Sequence, residues 1–157
     1  MIVGKSGATT VAGSSIGLSN DEDRKRFKQL REESDLIIIG GNTARHEPYN
    51  RTPVPLVVIS RSLVNPVQGN HLALLWNCSP AQAVEKARRQ FGEKILIEGG
   101  ISMINELIDH GVIDQLELSV TPASGGDERI DWKELLAKFA HSTSREVDGT
   151  TFYSANN

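Results

Sequence analysis

The chain has 157 residues, 38% hydrophobic and 24% charged, with a net charge of −3. That composition suits one globular domain and excludes wholesale disorder. The densest basic cluster, Arg24, Lys25, Arg26, Lys28 and Arg31, is interleaved with Asp21, Glu22, Asp23, Glu32 and Glu33, so it reads as a solvated helix face and disfavours nucleic acid as a partner. The single cysteine, Cys78, excludes an intrachain disulfide, and the four scattered histidines offer no zinc spacing, so no metal is expected. No apolar run approaches ~18 residues and the first residues hold no signal-peptide core, so no membrane is expected and the cytoplasm is the default location.

Met1 to Ser19 is rich in Gly, Ser, Thr and Ala and reads as a strand remnant followed by a loop. A helix follows, capped by Ser19 or Asn20, with Asp21, Glu22 and Asp23 in its first turn, where the helix dipole favours negative charge. Phe27, Leu30 and the stem of Arg31 fall on one face of it. Asp35-Leu-Ile-Ile-Ile-Gly-Gly41 is a continuous apolar run ending in glycines, the pattern of a strand buried on both faces in a parallel sheet. Three more such strands are read at Pro55 to Ser60, His71 to Trp76 and Lys94 to Glu98. Pro80 to Gln90 and Ile101 to His110 read as helices, the first opening on Pro80 and the second stopped by Gly111. Gln115 to Thr121 alternates like a half-exposed strand, Asp131 to Phe139 is a short helix, and Ser144 to Tyr153 is a hairpin turning at Asp148-Gly149. Strands alternating with helices imply an α/β fold: a mostly parallel central sheet flanked by helices and finished by a C-terminal antiparallel hairpin, in a single domain over residues 1–157.

In open α/β sheets ligands gather at the carboxyl ends of the strands. Gly40-Gly41-Asn42-Thr43 and Glu98-Gly99-Gly100 are two such ends, where glycines let backbone N–H groups approach a ligand. A helix starting after Gly100 would aim its N-terminus at a phosphate. A third end, Ile59-Ser60-Arg61-Ser62, adds a cation and two hydroxyls suited to the 2′-phosphate of NADP. Glu98 ends an apolar strand, and an unpaired carboxylate there would cost several kcal/mol, so it calls for specific hydrogen-bond donors: backbone, an arginine, or substrate N–H groups. Trp76 and Trp132 are expected in the core or partly buried.

Seven stretches in this order carry a family resemblance: Gly7 to Ser15, Ser19 to Arg24, Leu30-Arg31, Gly40-Gly-Asn-Thr-Ala-Arg-His-Glu-Pro48, Val57-Val-Ile-Ser-Arg61, Ile97-Glu-Gly-Gly100 and Thr121-Pro122. Together they resemble the reductase domain of riboflavin biosynthesis, whose fold is dihydrofolate-reductase-like. The resemblance implies NADPH-dependent reduction of the ribosylamino group of a phosphorylated pyrimidine to a ribitylamino group, and a homodimer. Carried over by position, it implies cofactor contacts at Thr43, Glu47, Ser60, Arg61, Gly99, Gly100, Ile101, Ser102 and Met103. On the substrate side it implies Ser15, Arg31, Asn50, Arg51 and Glu98. Glu98 is also the one carboxylate placed to take a catalytic, electrostatic part.

The loop around Glu47 is one residue shorter than the family pattern. Ser6 stands where the family usually has an aspartate, and only Ile2 and Val3 lie between Met1 and the first glycine. A misplaced start codon, a dihydrofolate-reductase-like enzyme acting on another pterin or pyrimidine, and a nucleotide-binding paralogue without turnover therefore stand beside the first reading. No signature of the zinc deaminase fused to some family members occurs, so a stand-alone reductase-type domain is expected.

Overall fold

A computed structural model describes all 157 residues. In chain order the elements are β1 (Ile2–Gly4), a short 3-10 helix (Ile16–Leu18), α1 (Asp21–Glu32), β2 (Leu36–Gly40), α2 (Gly41–His46), β3 (Leu56–Ile59) and β4 (Ala73–Trp76). They continue as α3 (Pro80–Phe91), β5 (Ile95–Ile97), α4 (Ile101–Asp109), β6 (Gln115–Thr121), α5 (Trp132–Leu136), β7 (His141–Val147) and β8 (Thr150–Asn156). The strands form two four-stranded sheets, and the residues cluster into two compact units: Met1–Phe27 with Ile113–Asn157, and Lys28–Val112. No helix is long and apolar enough to cross a membrane.

The unit Lys28–Val112 is built on the expected parallel sheet, in the order β4-β3-β2-β5. Leu36, Ile37, Ile38 and Ile39 of β2 are fully buried, as are Leu56, Val57 and Val58 of β3, which is why both read as unbroken apolar runs. One core beside them gathers Ile37, Ile39, Ala44, Tyr49, Leu56, Val58 and Val67. The outer strands β4 and β5 are half-buried, each bonded to one neighbour only. Between these strands α3 starts on a complete capping box: Ser79 Oγ accepts from the Gln82 N–H, and the Gln82 side chain accepts from the Ser79 N–H. Its apolar side buries Ala83, Val84 and Ala87. The helix α2 is absent from the sequence reading, since Gly41 and Asn42 are poor helix formers over a six-residue span.

The other unit carries a mixed sheet in the order β1-β6-β8-β7. β1 runs parallel to β6, while β8 is antiparallel to both β6 and β7. Pairing on both edges makes β6 an inner strand, and Leu118, Ser119, Val120 and Thr121 are buried rather than half-exposed as their alternation suggests. β7 is its exposed counterpart at the outer edge. The short β1 keeps three residue pairs with β6, and the Met1 amino group donates to the Glu117 carbonyl at 2.7 Å. Arg26 makes an ion pair with Glu117 and lies over the Phe152 ring. At the start of α1, Asn20 Oδ1 accepts from the Asp23 N–H at 3.0 Å and Ser19 Oγ donates to Asp23 Oδ2 at 2.6 Å. Asp23 is the buried residue of this helix, and Phe27 stays 38% exposed, so its expected apolar face is weak.

The hairpin turns as read. Asp148 and Gly149 take φ of 47° and 75°, a two-residue turn with both residues left-handed. Aspartate tolerates that region and a β-bearing residue at the second position does not do so freely. Gly149→Ala is therefore expected to cost about 1 kcal/mol in denaturant unfolding while leaving secondary structure intact.

Candidate cofactor and substrate site

All four strands of the parallel sheet point the same way, so their carboxyl ends share one edge of the Lys28–Val112 unit. At the end of β2, Gly40 leads directly into α2, where Thr43 is half-buried. The Thr43 carbonyl accepts from the N–H of Glu47, the residue that closes the helix. At the end of β3, Ser60 Oγ accepts from the Ser62 N–H at 3.1 Å and Arg61 is exposed. These two ends border one cavity of about 320 Å³, whose lining includes Gly41, Arg45, Ser60, Arg61, Asn77 and Cys78. A neighbouring cavity of about 460 Å³ shares Asn77 and Cys78 and extends past Trp76 to α3. The sequence reading placed Ser60 and Arg61 here. It missed Arg45, which only the helical turn of α2 brings round to the same cavity.

At the end of β5 the chain passes through Glu98 and Gly99 to Gly100, which caps α4. A Cβ on Gly99 would lie against the Met103 side chain, whereas one on Gly100 would meet nothing. The amides of Ile101 and Ser102 follow this turn, while the Met103 N–H already donates to the Gly100 carbonyl at 3.1 Å, and helix N-termini favour anionic groups. The sequence places a helix start directly after Gly100, and α4 begins there.

The Glu98 side chain is 6% exposed, and side chains of the same unit donate to both of its oxygens. Arg31 holds both oxygens, Nε to Oε1 at 2.8 Å and Nη2 to Oε2 at 2.6 Å, and the Tyr49 hydroxyl donates to Oε2 at 2.7 Å. The Arg31 guanidinium also lies 4.9 Å from the centroid of the Tyr49 ring. Of the donors open to Glu98 in the sequence reading, the arginine is therefore the one present, and two residues expected on the substrate side pair with each other. Burial opposes the charge on Arg31, but the bond and charge of Glu98 outweigh it and hold the guanidinium above its usual value. Burial, reinforced by the Glu98 charge and only partly offset by Arg31, pushes the Tyr49 hydroxyl far above the ordinary tyrosine value. Asn70, itself buried, donates to the Tyr49 carbonyl at 3.0 Å and so fixes the loop that delivers the ring. Tyr49 was not singled out in the sequence; its signal was one aromatic in the polar stretch between Pro48 and Thr52.

The remaining expected residues are not gathered into this cluster. Asn50 and Arg51 are exposed in the loop after α2. Ser15 belongs to the other unit, where it caps the short 3-10 helix and is half-buried.

Comparison with known proteins decides the lineage. The model of the RibD C-terminal domain family matches residues 6–131. The chain belongs to this family. A curated maize relative, the chloroplastic riboflavin biosynthesis protein PYRR from Zea mays, is 34% identical over 99 residues, 56% of this chain. The match spans only 15% of that protein's length. Among solved structures, a pyrimidine reductase-like protein from Corynebacterium diphtheriae has a TM-score of 0.65 at 18% identity, covering 99% of this chain and 88% of that one. A deaminase/5-amino-6-(5-phosphoribosylamino)uracil reductase from Thermotoga maritima has a TM-score of 0.66 at 13% identity, covering 99% and 54%. The RibD-type chain therefore has the dihydrofolate-reductase-like α/β fold.

The network around Glu98 gives a direct test. Tyr49→Phe keeps the ring under Arg31 and removes one bond to a buried carboxylate, so it is expected to cost about 1.5–3 kcal/mol in denaturant unfolding. The pH dependence has a definite sign. Because the folded state holds Tyr49 protonated, its contribution is fully present below the unfolded value near 10 and declines as pH rises above it. Wild-type stability should fall above about pH 10, and unfolding curves of Tyr49→Phe should show a shallower fall.

Proposed function

We propose that the chain is an NADPH-dependent oxidoreductase of riboflavin biosynthesis, reducing a phosphoribosylaminopyrimidine of the 5-amino-6-(5-phosphoribosylamino)uracil type. The observation that carries this reading is the shared edge of the parallel sheet, where a helix-capping glycine turn and a cavity with two arginines lie at neighbouring strand ends. Membership of the RibD C-terminal domain family supports it. Residues 1–157 would act as a single reductase-type domain, as a homodimer in the cytoplasm.

The residues present suit a dinucleotide. Thr43 and Glu47 would hold it beside α2. Gly99, Gly100, Ile101, Ser102 and Met103 would line the pyrophosphate, with the helix-start N–H groups of Ile101 and Ser102 as donors and Met103, whose N–H is taken by Gly100, packing beside it. Ser60 and Arg61 would meet the 2′-phosphate. When bound, the nicotinamide supplies a hydride. The acceptor would be the imine-like carbon of the opened ribose, whose nitrogen would take up a proton to give the ribitylamino product. What this chain supplies is position: the donor and acceptor must sit about 3–3.5 Å apart with water excluded. Ser15, Arg31, Asn50, Arg51 and Glu98 are proposed for the substrate side, with arginines suited to the substrate phosphate. Glu98, held by Arg31 and Tyr49, would act as an ordered negative charge rather than as a mobile proton carrier.

A second reading, a nucleotide-binding paralogue without turnover, is favoured by one observation: both oxygens of Glu98 are already engaged by side chains of the chain itself.

Titration with NADPH and with NADH, followed by nicotinamide fluorescence, tests the cofactor reading. Tight NADPH with weak NADH binding is expected, and NADPH oxidation with the pyrimidine substrate separates the enzyme from the binding paralogue. Failure of both dinucleotides to bind would demote the reductase reading to ancestry. For Glu98→Gln, substrate affinity or turnover should drop by about tenfold or more while NADPH affinity stays nearly unchanged. Weakened NADPH binding with intact turnover would remove Glu98 from the substrate side.

A further inference from the structure

The cavity at the ends of β2 and β3 collects more positive charge than the pairing of Ser60 with Arg61 requires. Arg45 projects from the last turn of α2 into the same cavity, and its Nη1 lies 3.5 Å from the point a Cβ on Gly41 would occupy. That same point is 2.9 Å from Ser60 Oγ, so the bare Gly41 backbone leaves the hydroxyl and the Arg45 guanidinium facing shared space. Neither Arg45 nor Arg61 has an ion-pair or side-chain hydrogen-bond partner in the chain. On the helix surfaces, by comparison, Arg24, Lys25, Lys28 and Arg89 each pair with a carboxylate one helical turn away.

Two unpaired guanidiniums and a hydroxyl around one cavity make a specific demand on a ligand. A phosphodiester carries one charge and two terminal oxygens, and a single guanidinium fork matches it. A phosphomonoester carries close to two charges and three terminal oxygens, which two forks and a hydroxyl can all engage. The cavity also has room for what such a phosphate is attached to, because Asn77 and Cys78 line both it and the larger cavity beyond β4.

We infer that Arg45 is a specificity-determining residue, the second arm of an arginine clamp that selects a ribose 2′-phosphomonoester on an adenosine whose base lies toward Asn77 and Cys78. The inference rests on the cofactor reading above and deepens it: NADPH and NADH differ only in that phosphate, so the clamp sets the preference between them. Arg61 is fixed at a strand end and Arg45 at a helix end, so the two approach the phosphate from different elements.

Adenosine 2′,5′-bisphosphate tests the clamp without a hydride donor, with adenosine 5′-monophosphate as the control that lacks the 2′-phosphate. Because Cys78 is the single thiol of the chain, the rate of its modification by a thiol reagent reports occupancy of the adjoining cavities and complements calorimetric titration. In the wild type the bisphosphate should bind at least about tenfold tighter than the monophosphate and protect Cys78 at lower concentration. Arg45→Ala should lose most of that ratio with monophosphate affinity unchanged, and Arg45→Lys should keep part of it. An unchanged ratio in Arg45→Ala overturns the inference, as does a wild type that does not discriminate. Equal loss of both ligands in Arg45→Ala also overturns it, since that is general damage to the cavity. NADPH oxidation is scored separately: a bisphosphate preference that depends on Arg45, without turnover, leaves the clamp standing and removes the reductase.

Discussion

Burying four consecutive residues of β2 on both faces is the constraint from which the rest of the Lys28–Val112 unit follows. Leu36 to Ile39 keep no exposed surface, so every N–H and C=O of that strand must find a partner in a neighbouring strand. Parallel neighbours β3 and β5 meet that demand in register, Ile37 with Leu56 and with Leu96. Parallel pairing in turn requires crossovers long enough to return the chain to the same end. α3 is such a return and packs against β2 and β5. Once all strands point the same way, their glycine-rich, polar ends have no choice but to share an edge, and the edge proposed for the cofactor results from the topology before any single side chain is chosen.

Much of this was legible in the sequence because the signals were redundant. The Leu-Ile-Ile-Ile-Gly-Gly run, the Ser79-Pro80 helix start and the Asp148-Gly149 turn each combine a hydrophobic pattern with a local backbone rule, and the structure honours all three. The glycine turn after Glu98 was read for the same reason. What failed was anything that depended on the number of partners a segment finds. β6 alternates in sequence yet is buried over its last four residues, because β1 and β8 flank it and cover its edges. The face of α1 around Phe27 looked apolar, yet its buried residue is Asp23, drawn inward by hydrogen bonds from Ser19 and the Asp23 amide to Asn20.

The residues of the candidate site divide the same way. Ser60, Arg61, Gly99 and Gly100 are adjacent to strand ends in the sequence, so a one-dimensional reading places them at the sheet edge. Arg45 and Tyr49 lie in a stretch without periodicity, and only the short helix α2 and the loop anchored by Asn70 give them direction. Glu98 shows the subtler limit. A buried carboxylate announces that it has donors, but a chain cannot show which. Arg31 is 67 residues away and Tyr49 is 49 away.

That separation has an evolutionary consequence. Arg31, Tyr49 and Glu98 form one epistatic unit: removing the arginine strands a buried carboxylate, removing the carboxylate strands a buried guanidinium, and either intermediate carries a penalty of about 3–5 kcal/mol. A typical domain has only about 5–15 kcal/mol in total to lose, so single-step exchange at Arg31 or Glu98 crosses a fitness valley, while loss of the Tyr49 hydroxyl costs less. A lineage that swaps this charge pair for an apolar packing has to change at least two distant codons nearly together.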